Sequence, residues 1–343
     1  MLQQWFITCC RLPVLSLCGM LAASVLLVGC DTTTESIHDA EIVVESWLIA
    51  NEPLPEVYLT ESVPVNEALP GGGPDVSGAD VRVVRVSEGG TSGDATGGDI
   101  LVYEPVPGRA GAYRALTHHT VQPGATYRLD VDVPGRAPVS AETTVPGDYD
   151  LLEAGPLDLV YRAEEQVTFR VTESFVPGRR AVYVFSIEGL DPRPSNLTPL
   201  YLDLIYDLDE GDQFRDEDLD VSELDEVRIN SSPPINEGSY ERLPDGTLQV
   251  DLPWFAVAFY GPTRIRMSAL DDNVFDFIRF RDAQAGGTTL SPGEIPNVKN
   301  HVVNGRGLFG SMTRVEVVVN IRRVPSLGQS TSRSLPTRTD PYR

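Results

Sequence analysis

Short segments in which apolar and polar residues alternate recur along this chain, and they constrain its fold more than any other feature. Gly, Pro and Asn separate them, notably at 71–74 and 97–98. Such alternation is typical of half-buried strands, and such punctuation is typical of turns. Seven segments precede residue 147, at 42–49, 56–60, 79–86, 100–103, 112–116, 126–133 and 139–145. Their number and spacing predict an immunoglobulin-like β-sandwich over residues 39–146.

The region from 147 to 324 is also β-rich but less regular, and we expect a second, mainly β domain with one short helix. The predicted strands are 166–173, 180–188, 200–208, 247–252, 255–259, 263–270 and 314–321. The helix is predicted over 271–280, because its start is acidic and its apolar residues fall on one face. Residues 325–343 are rich in Ser, Thr, Arg and Pro, which predicts a disordered tail.

The N-terminal segment has the pattern of an export signal that ends in a lipobox. Residues 12–29 are almost wholly apolar or small, and Leu27-Val28-Gly29-Cys30 closes the run. An uncleaved membrane helix and a signal cut elsewhere are the alternatives, but a small residue before a cysteine favours lipidation. We therefore predict a signal peptide at 1–29, a lipidated tether at 30–38, export, and anchoring to a membrane, expected to be the outer membrane, through lipid on Cys30.

The cysteines agree with this interpretation. Cys9, Cys10 and Cys18 leave with the signal, and the sulfur of Cys30 is consumed by the lipid. The mature chain is therefore predicted to have no disulfide, although exported proteins are free to form them. Its stability must come from burial.

The chain is strongly acidic, with 50 Asp and Glu against 27 Lys and Arg, for a formal net charge of −23. Such a surface repels nucleic acid and anionic lipid, which excludes both as direct partners. Lys299 is the only lysine. This composition favours adaptation to a salty medium or a GC-rich genome over a dedicated cation-binding function.

One stretch, 203–226, carries twelve acids against one arginine. Asp216, Asp218 and Asp220 have the spacing of the start of an EF-hand, and they are the calcium candidates. Val221 and Val227 stand where that loop requires glycine and glutamate. The pattern favours a solvated acidic loop, so no metal and no cofactor are predicted.

Other motifs also give no support for catalysis. Gly305 to Gly310 matches G-x-G-x-x-G, but a strand-like run follows where a nucleotide site needs a helix, so we predict a turn or bulge. The histidines are scattered, at positions 38, 118, 119 and 301. If the adjacent pair lies in a strand, its rings point to opposite faces. We predict that the chain is not an enzyme.

Four motifs, taken in order, resemble a family of bacterial outer-membrane lipoproteins of the Bacteroidota type, catalogued as domain of unknown function 4249. They are 42–48 with 57–60, then 76–81, 123–129 running on to 144–146, and 295–310, where Asn300-His301 departs from a frequent Asn-Ile. The resemblance covers about 41–321. It implies lipid anchoring, no assigned activity or cofactor, and genes often near TonB-dependent receptors.

The function predicted from these features is a lipid-anchored, non-enzymatic binding or accessory module linked to TonB-dependent outer-membrane transport. A TonB-dependent receptor and the membrane are its expected partners. Two alternatives stay open: a structural or adhesive cell-surface lipoprotein, and a calcium-dependent enzyme that uses the acidic residues.

Overall fold

The computed structural model describes residues 39–64, 73–86, 99–162, 166–206, 221–284 and 299–324. The described residues from Ala40 onward belong to one compact unit. The predicted signal peptide, Cys30, the tether, His38, the three calcium candidates and the 325–343 tail all lie outside the described residues.

A first β-sandwich forms over the N-terminal strands, and the prediction of a mainly β chain is confirmed. Alternate side chains of these strands point into one core, which includes the fully buried Leu59, Tyr113 and Leu129. Strands β1, β2, β5 and β4 run along one side, and β3, β6 and β7 continue the pairing. The strands are β1 (Ile42–Ile49), β2 (Val57–Glu61), β3 (Asp80–Val86), β4 (Ile100–Pro105), β5 (Ala112–Ala115), β6 (Thr126–Asp132) and β7 (Val139–Thr144).

The C-terminal strands build a second core between two sheets. One sheet continues that of the first sandwich through β18, β16, β11 and β12, and the other has the order β14-β15-β10-β8. Between them lie Phe169, Tyr183, Phe185 and Leu248. The strands are β8 (Leu151–Ala154), β9 (Asp158–Val160), β10 (Val167–Val171), β11 (Val182–Gly189), β12 (Ile229–Ser231), β13 (Ile235–Asn236), β14 (Glu241–Arg242), β15 (Leu248–Leu252), β16 (Gly261–Leu270), β17 (Val302–Val303) and β18 (Gly305–Arg322).

Strand β18 contributes to both cores. Its first half pairs in parallel with β1, from Ile42 opposite Gly305 to Ile49 opposite Met312. Its second half pairs antiparallel with β16. Phe309 lies in the first core, whereas Val319 lies in the second. The domain boundary predicted after residue 146 stays a prediction. Strands from both sides of this boundary pair with β18.

Three α-helices occur among the described residues, where the sequence predicted one: α1 (Pro199–Tyr206), α2 (Val221–Arg228) and α3 (Asp272–Gln284). Helix α3 is the predicted helix. Helix α1 replaces the strand predicted at 200–208, and that prediction is wrong. Pro199 occupies the first helical position, where its missing N–H costs nothing, and the carbonyl of Thr198 accepts the N–H groups of Tyr201 and Leu202.

The strand predicted at 255–259 does not form, and that prediction is also wrong. Residues Trp254–Ala256 form a short 3-10 helix after Pro253, and Phe259 makes only an isolated bridge to Leu197. This bend lets Ala258 and Phe259 pack on Leu197 and Tyr201 of the α1 region. Of the described helices, none combines the length and apolarity that a bilayer-spanning segment needs.

Candidate functional site

Two large aromatic side chains are exposed on the outer face of the first sandwich. Ile42, Val44 and Leu48 point into the core, so the alternating phase of β1 directs Trp47 outward. Tyr58 lies on the same face, because it is paired with Glu45 of β1. Trp47 is 42% exposed and Tyr58 is 38% exposed. Such side chains offer a large contact area together with a polar atom, as is common at binding surfaces.

Charged groups hold the Tyr58 ring in place. Its hydroxyl donates to Glu56 Oε2 at 2.5 Å and accepts from Arg109 Nη2 at 2.5 Å. The guanidinium of Arg109 also lies 5.4 Å from the ring centroid, and its Nη1 is 2.9 Å from Glu56 Oε2. The hydrogen bond with Glu56 is the main reason that the pKa of Tyr58 is raised. We call Trp47, Tyr58, Glu56 and Arg109 the aromatic surface.

A cleft of about 380 Å³ adjoins the aromatic surface at Arg109. Its wall is formed by the turn that leads into β5 and by Ser77, Pro105 and Tyr113. The Tyr113 hydroxyl donates to the Val76 carbonyl at 2.9 Å, which fixes the ring beneath the cleft. The surface and the cleft together form the candidate binding site.

The glycine-rich motif lies inside β18 and not in a turn, so the predicted turn or bulge is wrong. A Cβ at Gly305 would lie 2.7 Å from the Ile42 carbonyl oxygen, and one at Gly307 would overlap the Val44 carbonyl oxygen. The glycines therefore let β18 approach β1. The expectation that a strand follows the motif is confirmed, since β18 continues to Arg322.

The described histidines do not form one cluster. His118 and His119 lie in the loop after β5, not in a strand. His119 Nε2 is 3.0 Å from the Tyr127 hydroxyl, and burial lowers the pKa of His119. His301 Nε2 is 2.9 Å from Asp276 Oδ2. Within the described ranges, no group of three or more His, Cys, Asp or Glu side chains is arranged to hold a metal.

A buried polar network joins the first sandwich to α3. The Thr143 hydroxyl donates to Asp271 Oδ2 at 2.5 Å and lies 2.6 Å from the Ser311 hydroxyl. The other oxygen of Asp271 accepts the N–H of Val274 at 2.8 Å, which caps α3. Burial raises the pKa of Asp271 to about 6, against the effect of these hydrogen bonds. A cavity of about 210 Å³ borders Thr143 and Asp271.

Three arginines converge on one carboxylate on the outer face of the second sandwich. Glu188 of β11 contacts Arg228 at 2.8 Å and both Arg264 and Arg266 at 3.0 Å. The hydrogen bond from Arg228 is the largest of the causes that lower the pKa of Glu188. Glu316 of β18 lies 3.1 Å from Arg266. This local excess of arginine contrasts with the net charge of the whole chain.

The aromatic surface was missed by sequence reasoning, although the signal for it is present. Glu45 indicates which face of β1 points outward, and Trp47, two residues later, lies on the same face. An aromatic residue on the same face of a strand as a charged residue is expected to be exposed. The contacts of Asp271 and Glu188 carry no comparable signal, because they join residues far apart in the chain.

These features define the chain as a mainly β protein with two cores that share one long strand and with an exposed aromatic surface. Residues 30–317 match the model of the family described as "Domain of unknown function (DUF4249)". The chain belongs to this family. No curated protein matches it.

This chain is similar to part of solved structures that include Salmonella alpha-2-macroglobulin reacted with methylamine and a point mutant of Salmonella alpha-2-macroglobulin. Both are 13% identical to this chain, with a TM-score of 0.21. The matches cover 82% and 83% of this chain and 15% of those structures. The chain therefore spans only a small part of the proteins that it matches.

Proposed function

We propose that this chain is a lipid-anchored, non-enzymatic binding module of the outer membrane that assists a TonB-dependent transporter. The aromatic surface is the observation that carries the proposal. Its exposed Trp47 and Tyr58 have no role in either core, and ion pairs between Glu56 and Arg109 order Tyr58 before any partner arrives. A preordered aromatic surface loses little side-chain entropy on binding.

The lipobox supports the membrane part of the proposal. A diacylated Cys30 holds the module at a bilayer, since a single acyl chain anchors weakly and two anchor stably. The family membership agrees with the resemblance from which the transporter link was inferred.

Lipid attachment is tested by the variant Cys30→Ser, with Cys18→Ser as the matched control inside the signal. Mass spectrometry of the mature protein is expected to show diacylglycerol on Cys30 in the native chain and in the control. Cys30→Ser is expected to carry no diacylglycerol. If the same lipid is still found on Cys30→Ser, the anchor is not this cysteine.

The binding part is tested by crosslinking in the native membrane, followed by affinity purification of the full chain. We expect a TonB-dependent receptor to be recovered with the native protein. The double variant Trp47→Ala, Tyr58→Ala is expected to reduce recovery at least about tenfold, the scale of losing two interface anchors. Phe255→Ala removes a more exposed ring (66%) from the second half of the chain and serves as the control.

If the double variant recovers as much receptor as the native chain does, the contact with the receptor lies outside the aromatic surface. Recovery of no receptor with the native chain would contradict the transporter link.

A further inference from the structure

Among the residues that the structure describes, strand β18 has neighbours on its β1 side at its two ends only. Strand β1 covers it as far as Met312, and β9 covers it in parallel from Asn320. Among the described residues, no strand pairs with 313–319 on this side, although β16 pairs with the same residues on the other side. Within the part of the chain that the structure describes, a strand position inside the sheet is therefore unfilled between β1 and β9.

The backbone groups of β18 that point into this gap can be assigned from the bonds around it. The Ser311 carbonyl accepts from Asp271, which continues β16, so the odd-numbered residues face β16. The Met312 carbonyl accepts from Ala50 at 2.9 Å, and the Asn320 N–H donates to Leu157 at 2.7 Å. Successive residues of a strand direct their N–H and C=O groups to opposite sides. The N–H and C=O groups of Arg314, Glu316 and Val318 therefore face the gap.

Core-facing side chains are partly uncovered at the same place. Thr313 and Val319, at the ends of the gap, are each 1% exposed. Val315 and Val317, which point into the same core between them, are only partly buried. No strand of the described ranges thus covers the apolar edge of the second core at this place.

The interior behind the gap leaves no room for a small molecule. The cavity between Leu151, Val315 and Val317 has a volume of only about 10 Å³, which is about the space of one water molecule. An occupant must therefore lie beside β18, where only an extended backbone can pair with both N–H and C=O groups at the strand spacing.

We propose that a partner protein adds an extended segment of about five residues beside β18, in the gap between β1 and β9. The eight residue steps from Met312 to Asn320 span about 26 Å at 3.3 Å per residue, and the terminal positions are already paired. Inward residues of the segment are apolar and pack on Val315, Val317 and Leu151. This inference goes beyond the proposed function, because the gap beside β18 is a different site from the aromatic surface.

The charges on the outer face beside the gap balance one another, so they set no charge preference for the outward residues of the segment. Four guanidinium groups lie there with four carboxylates: Arg228, Arg264, Arg266 and Arg314 with Glu52, Glu188, Asp225 and Glu316. A second copy of this chain is a poor occupant, because two chains with a net charge of −23 repel each other.

The gap itself is tested by residue-resolved hydrogen exchange on the full lipidated chain in detergent. The amides of Arg314, Glu316 and Val318 are expected to exchange at least about 100-fold faster than those of Val315 and Val317, which donate to β16. Equal protection of both sets in the free chain would show that the chain fills its own gap, and the proposal would fail.

Strand addition is tested with a tethered probe, because a free short peptide binds weakly. The variant Leu157→Cys places a thiol at one end of the gap, where Leu157 is exposed and contributes only its carbonyl to β18. A disulfide attaches the peptide Cys-Thr-Val-Asp-Val-Thr-Val, and the tether gives an effective concentration on the order of millimolar. The control peptide carries proline in place of the central Asp-Val, which removes N–H groups that a strand needs.

The alternating peptide is expected to slow exchange at Arg314, Glu316 and Val318 at least tenfold, and the proline peptide is expected to leave it unchanged. No protection by the alternating peptide, or equal protection by both peptides, overturns the proposal. These outcomes do not depend on recovery of a transporter. Failure of this inference is therefore distinguishable from failure of the proposed function.

Discussion

Asp271 is a carboxylate that folding places among hydroxyl and amide groups away from water. Its pKa rises from 3.8 to about 6, and burial is the largest cause. The folded chain therefore binds a proton at Asp271 more tightly than the unfolded chain does. By linkage, this group's contribution to the free energy of unfolding is greatest below pH 4 and falls as pH rises to about 6. The loss amounts to at most about 3 kcal/mol.

We expect the variant Asp271→Asn to remove this part of the pH dependence. Its amide oxygen can still accept from Val274, and its N–H group can donate to Thr143. Urea unfolding measured from pH 4 to pH 7 should show a smaller decrease in stability for the variant than for the native chain. Asp272→Asn, at an exposed neighbouring carboxylate, should leave the native decrease in place. A decrease of the same size in Asp271→Asn would mean that Asp271 ionises normally in the folded chain.

At the scale of single elements, the glycines of β18 set how closely it can approach β1. Gly307 has a φ of +106°, and a Cβ there would overlap the Val44 carbonyl oxygen. Gly307→Ala is therefore expected to lower the free energy of unfolding by about 3 kcal/mol or more, from backbone strain and overlap together. Urea unfolding of the purified variants measures the difference.

Gly135→Ala is the matched control for this variant. Gly135 has a φ of +81° but no atom within 4 Å of its added Cβ, so only the strain remains, about 1 kcal/mol. Equal losses for the two variants would show that β1 moves aside to accept the methyl group added at position 307.

The elements differ in how far the sequence predicts them. The strands of the first sandwich and helix α3 follow from periodicity, because one face of each is buried. Helix α1 was predicted as a strand, since its short apolar run has no clear period, and Thr198-Pro199 was the missed signal of a helix start. The glycine motif was predicted as a turn, because the approach of β1, about 260 residues earlier in the chain, is not visible in local sequence.

The candidate site, too, is only partly predictable from local sequence. The outward phase of Trp47 could be derived from β1 alone. The contact of Tyr58 with Arg109, and the gap beside β18, depend on strand order, which the sequence pattern does not determine. The features that the sequence did not predict therefore depend mostly on contacts between segments that are far apart in the chain.

At the scale of the whole molecule, β18 makes the two cores dependent on each other. It supplies Phe309 to the first core and pairs with all eight residues of β1. A fragment of residues 39–146 lacks this strand, so β1 becomes an exposed edge and the core loses an apolar wall. We predict that this fragment does not fold cooperatively, whereas residues 39–324 unfold in a single transition.

Near-ultraviolet circular dichroism and calorimetry on the two purified fragments measure this difference. The longer fragment should give one calorimetric peak whose van 't Hoff and calorimetric enthalpies agree, as expected for a two-state transition. The shorter fragment should give neither a peak nor an ordered aromatic signal. A cooperative transition in residues 39–146 alone would mean that the first sandwich is stable without β18, and that the shared strand joins two independent domains.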